Sequence, residues 1–504
     1  MVRAAGTTKR RAGKQAAASA AQDVRNWIGG QERPAAGGAW FDKLNPADGS
    51  RLARAARSQA EDVRQAVAAA QRAFAGWSQT PGVKRGEVLF AVAAALQRER
   101  QAVAAVVAAE TGKSPASALG ETDAAVALGR FMAGEGQRLY GRTTTSGAPH
   151  RTAMTVRQPI GVAGLIIAAN TPIANVAWKV FPALICGNAA VLKASEDAPA
   201  TAALFSTLAH EAGLPAGVLN VVQGLGKEAG AALVAHPGVA VISFTGSTAV
   251  GQEIAVIAGR RLAKASLELG GKNPFVVCED ADMEQAVHWA ALSAFSNAGQ
   301  RCASGSRIIV FEAVYEAFRS RLVERVKRMK VGTADTDEFG PVINERQLSA
   351  MLEAVAQARK AGAVVLAGGQ RLTDPAHRTG FYMAPTLLEQ AGSRDPISTT
   401  ELFGPIACLY RARDFAHALA LANDSPYGLT ACIHTRNVHR AMEFVRQVQA
   451  GVAVVNAGTF GSEPHMPFGG LKQSGNGSRE PGTEALDIYS DLKDVYITTD
   501  PGQA

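Results

Sequence analysis

The chain contains 504 residues, of which 47% are hydrophobic and 19% charged, and this length predicts two or three domains. No run of about 18 uncharged apolar residues occurs, and the N-terminus lacks the apolar centre of a secretory signal. Both features argue against a membrane-spanning protein and against an exported one. We therefore expect a globular protein of the cytoplasm.

The formal net charge of +8 is unevenly distributed along the chain. Residues 1–20 contain five basic residues and no acidic one, which leaves +3 for all the others. So small an excess offers no concentrated surface for phosphate groups, so we expect no nucleic-acid partner. Residues 1–20 are predicted to form a disordered basic tail.

The first part of the chain is predicted to be mainly helical. Residues 21–60 are rich in turn formers, and apolar residues at helical spacing then predict three helices. These helices cover residues 61–78, 84–110 and 117–134. A polar break at 143–147 precedes a β-rich stretch at 151–157. We interpret residues 138–157 as an excursion from the main domain.

From residue 159 onward, apolar strands alternate with helices, which predicts a parallel sheet covered on both faces. The predicted strands cover residues 162–168, 189–192 and 218–222, and the helices between and around them cover 176–184 and 200–212. Ligands of such sheets bind beyond the carboxyl ends of the strands. The residues that follow the apolar runs are polar or glycine, as in a cofactor cleft: Asn170, 193–196, 223–226 and 245–247.

Residues 263–269 alternate between polar and apolar side chains, which predicts a half-buried strand ending at Glu268, before two glycines. This carboxylate could be a general base in a cleft or a solvated surface acid. A second α/β unit follows, with a long helix over 283–297. Its strands are predicted near 274–277, 306–311, 364–367, 406–410, 429–434 and 452–455, and a final strand near 486–498.

The five cysteines are widely spaced, without a C-x-x-C pair, which argues against disulfides and against a thiolate metal site. Four of them fall in apolar strand patterns or at a helix end, where core packing is expected. These are Cys186, Cys278, Cys408 and Cys432. Cys302 instead follows Arg301 in a loop of small residues, where the adjacent cation would favour the thiolate. On local grounds it could be either a nucleophile or an inert thiol.

Taken together, six segments in this order resemble motifs of the NAD(P)-dependent aldehyde dehydrogenase superfamily, and the resemblance extends from about residue 24 to 498. The motifs are V-L-K-A-S-E (191–196), F-T-G-S-T-A-V-G (244–251), L-E-L-G-G-K-N-P (267–274), G-Q-R-C (299–302), E-L-F-G-P (401–405) and P-F-G-G-L-K-Q-S-G (467–475). The resemblance implies an α/β fold with a Rossmann-like cofactor-binding domain, an α/β catalytic domain and a small β oligomerisation flap.

The resemblance also assigns the chemistry. Cys302 matches the nucleophile that forms a thiohemiacetal and then a thioester, and Glu268 matches the base that activates water to hydrolyse it. Asn170 matches the side-chain donor to the oxyanion, together with the backbone N–H of Cys302. A coenzyme A-acylating enzyme is the first alternative, although such members generally lack the glutamate. A catalytically silent NAD-binding paralogue is the second. No metal is implied.

For the cofactor, Lys193 and Glu196 match the pair that contacts the adenosine ribose. Ser247 matches a pyrophosphate contact at a helix start. Glu401 and Phe403 match contacts to the nicotinamide ribose and ring. Gly226 lies in a G-x-G-x-x-x-G segment that differs from the usual dinucleotide fingerprint. A carboxylate at 196 would repel a 2'-phosphate, so NAD is expected rather than NADP.

The substrate is expected to be a small aldehyde, and the pocket departs from the family pattern. Residues 168–172 lack the Trp and the aromatic residue that members often carry around the oxyanion asparagine. Trp178 matches a tunnel-lining aromatic, where members specialised for succinate semialdehyde tend to carry Arg, so that substrate is disfavoured. The candidates for the pocket wall are Thr171, Asn175, Trp178, Ser304 and His465.

The predicted organisation has three parts besides the tail. Residues 21–137 and 158–268 form an NAD-binding domain, and residues 269–480 a catalytic domain. Residues 138–157 and 481–504 form an oligomerisation segment. By resemblance, the protein is expected to be a homodimer or homotetramer.

Overall fold

A computed structural model describes residues 22–503 of the chain. The predicted basic tail, residues 1–20, lies outside the described residues. Within residues 22–503, no helix has both the length and the apolar character needed to cross a membrane.

Five strands precede four helices in the first part of the described chain. They are β1 (Gln22–Val24), β2 (Asn26–Ile28), β3 (Gln31–Arg33), β4 (Trp40–Leu44), β5 (Arg51–Ala56), α1 (Ala60–Trp77), α2 (Gly82–Arg98), α3 (Arg100–Thr111) and α4 (Pro115–Gly134). The strands were not expected in this turn-rich stretch. The single helix predicted over 84–110 is wrong as well, because Glu99, at φ −96° and ψ 14°, interrupts it.

The next part alternates strands and helices. It contains β6 (Thr143–Thr145), β7 (Arg151–Pro159), β8 (Val162–Ile166), α5 (Pro172–Ile185), β9 (Ala189–Lys193), α6 (Pro199–Glu211), β10 (Leu219–Val222), α7 (Ala231–Ala235), β11 (Val241–Thr245), α8 (Thr248–Arg260) and β12 (Lys264–Glu268). A π-helical turn at Gly226–Gly230 precedes α7.

The first sheet has the strand order β12-β11-β8-β9-β10-β2-β3, in which β12 to β10 are parallel and β2 and β3 antiparallel. Its register places the strand ends side by side, because Thr245 pairs with Glu268 and Ile166 with Lys193. Helices α2 to α6 pack an apolar cluster against one face of this sheet, and α1 and α7 contribute to a second cluster. The carboxyl edge therefore carries polar residues above a buried apolar sheet.

The remaining elements form the second half of the chain. They are β13 (Pro274–Val277), α9 (Met283–Phe295), β14 (Arg307–Phe311), α10 (Glu312–Lys327), α11 (Glu345–Lys360), β15 (Val364–Ala367), β16 (Thr386–Glu389), α12 (Pro396–Thr399), β17 (Ile406–Ala412), α13 (Phe415–Asn423), β18 (Tyr427–Gly428), β19 (Thr430–His434), α14 (Val438–Gln447), β20 (Val452–Val455), β21 (Leu471–Lys472), α15 (Ala485–Tyr489) and β22 (Ser490–Thr498).

The second sheet has the order β15-β16-β17-β14-β13-β19-β20, with only β15 antiparallel among its strands. Two seven-stranded, mainly parallel sheets with helices around them confirm the α/β prediction. A third, antiparallel sheet has the order β22-β7-β6, and β22 pairs with β7 over nine residues. The predicted strand over 486–498 begins later than expected, because Ala485–Tyr489 forms a short helix first.

Candidate active site

Cys302 lies in the loop between a 3-10 turn, Ser296–Gly299, and strand β14. Asn297 and Ala298 in that turn have φ of 56° and 55°, a left-handed conformation that redirects the chain after α9. The Cys302 side chain is only partly buried, whereas Cys186, Cys278, Cys408 and Cys432 are buried, as expected for core residues. Cys302 is therefore the one cysteine of the described chain that is open to a ligand.

The side chain of Asn273 binds the loop of Cys302 at two carbonyl groups. Its Nδ2 donates to the carbonyl oxygens of Cys302, at 2.7 Å, and Ser304, at 2.8 Å, while its Oδ1 accepts from the backbone N–H of Thr430 at 3.0 Å. A Cβ at Gly271 would lie 2.3 Å from the Cys302 carbonyl oxygen, so this close approach requires glycine. The segment that begins at Glu268 thus positions the cysteine directly.

Glu268 ends strand β12 and is 4% exposed. Neither of its carboxyl oxygens has a hydrogen-bond partner in the described chain, so both are free to meet a ligand. Burial raises the pKa of Glu268 well above its ordinary value, and the Glu480 carboxylate raises it further, against the opposing effects of Lys179 and Arg479. A carboxyl group of this kind binds a proton more tightly than an ordinary glutamate does.

A buried polar network lies behind Glu268. Lys179 Nζ donates to Glu480 Oε2 at 2.8 Å and to Ser243 Oγ at 2.6 Å. Glu480 Oε1 accepts from Ser243 Oγ and from the Tyr489 hydroxyl, both at 2.8 Å. The Lys179 and Glu480 side chains are completely buried, so their charges act strongly on Glu268. Sequence reasoning missed this network, because its members come from segments far apart along the chain.

Asn170 follows strand β8 and is tied to the same loop as Cys302. Its Nδ2 donates to the carbonyl oxygen of Gln300 at 3.1 Å. Its own carbonyl oxygen accepts from Lys113 Nζ at 2.9 Å and from Asn297 Nδ2 at 3.2 Å. The amide of Asn170 is thereby held beside the cysteine loop, which is the place from which a donor to an oxyanion must act.

Two cavities meet at Cys302. The first cavity has a volume of about 310 Å³, and among its lining residues are Thr245, Gly246, Ser247, Glu268, Glu401 and Phe403. The second cavity has a volume of about 420 Å³, and among its lining residues are Lys113, Glu121, Arg301, Phe339 and Phe460. Both are lined by Asn170, Thr171, Ala174, Trp178, Cys302 and Phe468. Cys302 is therefore accessible from two sides, and the first cavity contains both the thiol and the Glu268 carboxyl group.

The charges around Cys302 oppose its ionisation. Burial, followed by the carboxyl groups of Glu401 and Glu268, raises the pKa of Cys302 to about 12. Arg301 lowers the pKa, as expected from its sequence position, but it is outweighed. Arg301 therefore favours the thiolate as expected, but the surroundings as a whole favour the protonated thiol. Burial also raises the pKa of Glu401 to about 7, although the Gly271 N–H donates to it at 2.9 Å.

The candidate cofactor residues fall into two groups. Ser247, Glu401 and Phe403 line the first cavity. Lys193 and Glu196 form an ion pair of 2.9 Å beyond strand β9, and the Gly226 N–H donates to the same Glu196 oxygen at 3.2 Å. Although burial raises the pKa of Glu196, Lys193 and these hydrogen bonds hold it below its ordinary value.

This donor set fits a dinucleotide. An ionised carboxylate and an ammonium group lie at the carboxyl edge of a parallel sheet, where such ligands bind. Helix α8 begins after Ser247, without a side-chain cap and without an acidic residue in its first turn. Its first N–H groups can therefore receive a phosphate group.

Only some of the candidate pocket residues line the two cavities. Thr171 and Trp178 line both cavities, and Asn175 lines the first, with its Nδ2 bonded to Thr171 Oγ1 at 3.0 Å. Ser304 does not line either cavity, because its Oγ turns inward and donates to the carbonyl oxygen of Ser293 at 3.0 Å. His465 also lies outside both. It is exposed, with Glu463 at 3.6 Å. The assignments of Ser304 and His465 to the pocket wall are wrong.

The comparison with known proteins agrees with this geometry. The model of the aldehyde dehydrogenase family matches residues 33–495. The chain is 37% identical to an alpha-ketoglutaric semialdehyde dehydrogenase of Bacillus subtilis over 94% of this chain and 97% of that protein. It is 38% identical to a mitochondrial benzaldehyde dehydrogenase of Antirrhinum majus over 93% of this chain and 88% of that protein.

A solved structure gives the same result for the fold. The structure of betaine aldehyde dehydrogenase from Staphylococcus aureus in complex with NAD+ superposes with a TM-score of 0.93 at 31% identity, covering 95% of each chain. The fold and site define an α/β oxidoreductase with a Rossmann-like fold. The chain belongs to the aldehyde dehydrogenase family.

Proposed function

We propose that this protein oxidises an aldehyde to a carboxylic acid with NAD as the electron acceptor. The observation that carries the proposal is the position of Cys302, where the first cavity, with the unpaired Glu268 carboxyl group, meets the second cavity. A nucleophile, a base and a space for a second reactant are thereby combined in one place.

In the first step, Cys302 Sγ attacks the carbonyl carbon of the aldehyde to form a thiohemiacetal. The new C–S bond turns the carbonyl oxygen into an oxyanion. Asn170 Nδ2 and the backbone N–H of Cys302 are the donors that stabilise this charge, and the Asn273 clamp holds that backbone in position. Because the pKa of Cys302 is raised, the thiol has to give its proton to solvent water as the sulfur attacks the carbonyl carbon.

Ser247, Glu401 and Phe403 would hold a nicotinamide cofactor in the first cavity, where it would accept a hydride and, in its oxidised form, supply a positive charge. Oxidation of the thiohemiacetal leaves the acyl group on Cys302 as a thioester. Glu268 then takes a proton from a water molecule, whose oxygen attacks the thioester carbon. The C–S bond breaks, the carboxylic acid leaves, and the sulfur regains its proton. The raised pKa of Glu268 suits this role, because it makes the carboxylate a stronger base than an ordinary glutamate.

NAD is preferred over NADP in this proposal. Glu196 is held ionised by Lys193, and a ribose 2'-hydroxyl can donate to such a carboxylate. A 2'-phosphate would place a second negative charge beside it. Gly226, whose N–H fixes the Glu196 carboxylate, contributes to the same part of the site.

The proposal includes the domain organisation predicted from the sequence. Residues 21–137 and 158–268 bind the cofactor, residues 269–480 supply the catalytic cysteine, and residues 138–157 with 481–504 mediate assembly into a dimer or tetramer. Strand β22 supports the predicted assembly, because Leu492, Tyr496 and Ile497 expose 62%, 62% and 47% of their surface at a sheet edge.

A cytoplasmic location is proposed on the basis of five free cysteines.

Two alternative functions would use the same site differently. A coenzyme A-acylating enzyme would transfer the acyl group to a thiol and would need no base, which leaves the unpaired Glu268 without a role. A silent NAD-binding paralogue would not need the access to Cys302 from two cavities.

The test is steady-state NADH formation with a panel of aliphatic, aromatic, hydroxylated and ω-carboxylated aldehydes, with NAD or NADP, and with and without coenzyme A. The wild type is expected to turn over without coenzyme A, and Cys302→Ser to lose roughly a thousandfold or more in kcat. Turnover that requires coenzyme A would support the first alternative. NAD binding without turnover of any aldehyde would support the second, and full activity of Cys302→Ser would refute the mechanism.

A further inference from the structure

A buried ion pair lies in the wall of the second cavity. Lys113 follows the end of α3, and Glu121 lies on α4. Their charged groups are 2.5 Å apart, and each side chain exposes only 6% of its surface. Burial lowers the pKa of Lys113, and Glu121 opposes this effect. Because replacing a buried ion pair by apolar residues is often neutral for stability, stability alone does not explain this one.

Glu121 supplies a cap for helix α5. Within the described chain, the side chain of the N-cap residue Thr171 does not cap this helix. Instead, Glu121 Oε1 accepts from the backbone N–H groups of Ile173 at 3.0 Å and Ala174 at 3.3 Å. A carboxylate at this end of a helix satisfies free N–H groups and is attracted by the helix dipole. The start of α5 is thereby fixed to α4.

Lys113 holds the residue that comes just before this helix start. Its Nζ donates to the main-chain carbonyl oxygen of Asn170 at 2.9 Å, and Asn297 Nδ2 donates to the same oxygen at 3.2 Å. The side-chain amide of Asn170 uses one of its two hydrogens for the carbonyl oxygen of Gln300, at 3.1 Å. The other hydrogen makes no bond within residues 22–503 and is left for a ligand. Its direction depends on how the backbone of Asn170 is held.

We propose that Lys113 and Glu121 are positioning residues for the oxyanion donor. The pair holds the backbone at residue 170 so that the free N–H of the Asn170 amide faces the carbonyl oxygen of the aldehyde. A displacement of about 1 Å can cost roughly a hundredfold in rate, which gives two buried charges beside this backbone a role. This inference rests on the proposed function. Because Asn170 lines both cavities, the effect of the pair should be the same for every aldehyde.

The test is a double-mutant cycle of Lys113→Met and Asn170→Ala. Methionine keeps a long, unbranched side chain and removes the charge and the donor. In the wild-type background, Lys113→Met is expected to lower kcat by roughly ten- to a hundredfold, with little change in KM for the aldehyde or in the dissociation constant for NAD. In the Asn170→Ala background, the same substitution is expected to lower kcat by less than about twofold, because the donor that Lys113 positions is absent.

A second variant covers the case in which Lys113→Met does not fold, since that substitution leaves the Glu121 carboxylate buried without its partner. Lys113→Met combined with Glu121→Gln removes both charges and keeps an oxygen that accepts from the helix N–H groups. It should show the same dependence on Asn170. Lys84→Met is the matched control, because it removes an exposed lysine that also pairs with a glutamate, and it should keep the wild-type kcat. Fluorescence titration with NAD shows which variants are folded.

A further measurement does not depend on oxidation. Without NAD, hexanal can form a thiohemiacetal, in which a C–S bond joins Cys302 Sγ to the carbonyl carbon and the thiol proton moves to the carbonyl oxygen. This blocks alkylation of Cys302 by iodoacetamide, and the other four cysteines are buried. The hexanal concentration that halves the alkylation rate should rise roughly three- to tenfold in Lys113→Met. It should not rise when the same substitution is added to Asn170→Ala.

The outcomes separate this inference from the proposed function. If Lys113→Met leaves kcat unchanged, raises only KM, or lowers kcat equally with and without Asn170, aldehyde oxidation stands and the positioning role is refuted. If the variant without either charge no longer binds NAD, the pair serves the fold and the role is refuted as well.

Failure of the proposed function would look different. If no aldehyde is oxidised, and protection by hexanal depends on Lys113 only while Asn170 is present, the proposed function fails and the positioning role stands. If no aldehyde is oxidised and Lys113→Met leaves the protection unchanged, both are refuted.

Discussion

The first and second cavities differ in the kind of residues that surround Cys302. The first is lined at the carboxyl edge of a parallel sheet by carboxyl groups whose pKa values burial raises, those of Glu268 and Glu401. The second is lined by loops and by aromatic rings, with a closed ion pair and the single guanidinium group of Arg301. Buried carboxyl groups thus lie on one side of the sulfur, and aromatic rings with a buried ion pair on the other.

This difference separates two kinds of effect. A substitution in the first cavity should change the turnover of every aldehyde by the same factor, since it affects a step common to all of them. A substitution in the second cavity that leaves the backbone of Asn170 in place should change the ratio between aldehydes. The following experiments test this separation.

The largest effect is expected for Glu268→Gln, which removes the base and leaves a side chain of similar shape. We expect kcat to fall by about a hundred- to ten-thousandfold for all aldehydes. A rapid burst of about one NADH per subunit should remain, because the thioester still forms. Stopped-flow absorbance measures both phases. An unchanged steady-state rate, or loss of the burst together with turnover, would contradict the assignment of Glu268 to hydrolysis.

The pH dependence of kcat should change in the same variant. The raised pKa of Glu268 means that the carboxylate form is lost as the pH falls through a value well above the ordinary one. The wild-type kcat should therefore decrease about tenfold per pH unit below that pKa, and recover above it. Profiles from pH 5 to 9 should lack this acidic limb in Glu268→Gln. If the decrease in kcat at low pH remained in Glu268→Gln, it would have to come from another group, such as Glu401.

Asn170→Ala removes the side-chain donor that borders both cavities. We expect a loss of about a hundred- to a thousandfold in kcat, because the charge it stabilises develops only after the sulfur attacks. The dissociation constant for NAD, measured by fluorescence titration, should stay close to the wild-type value. Asn175→Ala is the matched control: its amide donates to Thr171 and is not bonded to the cysteine loop, so a much smaller effect on kcat is expected. Equal losses of kcat in Asn170→Ala and Asn175→Ala would refute the assignment of Asn170 as the donor to the oxyanion.

Glu196→Gln should shift the coenzyme preference and leave the preference among aldehydes unchanged. Without the negative charge, kcat/KM for NADP is expected to rise relative to NAD by roughly tenfold, which corresponds to about 1.4 kcal/mol. Parallel assays with the two coenzymes measure this ratio. A wild type that already prefers NADP would refute the role of Glu196.

The smallest effect is expected for Phe460→Ala, at the far side of the second cavity. It removes an aromatic ring from the wall of that cavity, so KM for an aromatic aldehyde should rise roughly three- to tenfold, and kcat should change little. Kinetics with benzaldehyde and hexanal separate the two parameters. An equal fall in kcat for both substrates would show that Phe460 affects a step common to all aldehydes. It would contradict the predicted separation of effects between the two cavities.

The sequence was sufficient for much of the fold, where local pattern and tertiary structure agree. Strands such as β13 and β20 end where their apolar runs end, and the polar residues beyond β8, β9 and β11 lie at one edge of the sheet. Strand β2 could not be predicted in this way, because it is stabilised by pairing with β10, nearly two hundred residues later. The break at Glu99 carries no proline or glycine signal.

Within the site, residue types could be assigned from the motifs, but side-chain directions could not. Ser304 and Arg301 both flank Cys302, and the sequence favoured Ser304 for the pocket. In the structure Ser304 turns toward Ser293, while Arg301 faces the second cavity. Such directions depend on acceptors elsewhere in the fold. Asn273 was part of a quoted motif, yet its role is apparent only from its contacts with Cys302 and Thr430.

The Asn273 clamp has a consequence for redesign. Since the Asn273 amide joins the cysteine loop to the start of β19, the loop is anchored to the second sheet as well as to Asn170 in the cavity wall. Side chains such as Phe339 and Phe460 can then be exchanged to admit bulkier or differently charged aldehydes, while the nucleophile keeps its position. The protein is in this sense a modular catalyst, whose selectivity can be evolved in the laboratory separately from its chemistry.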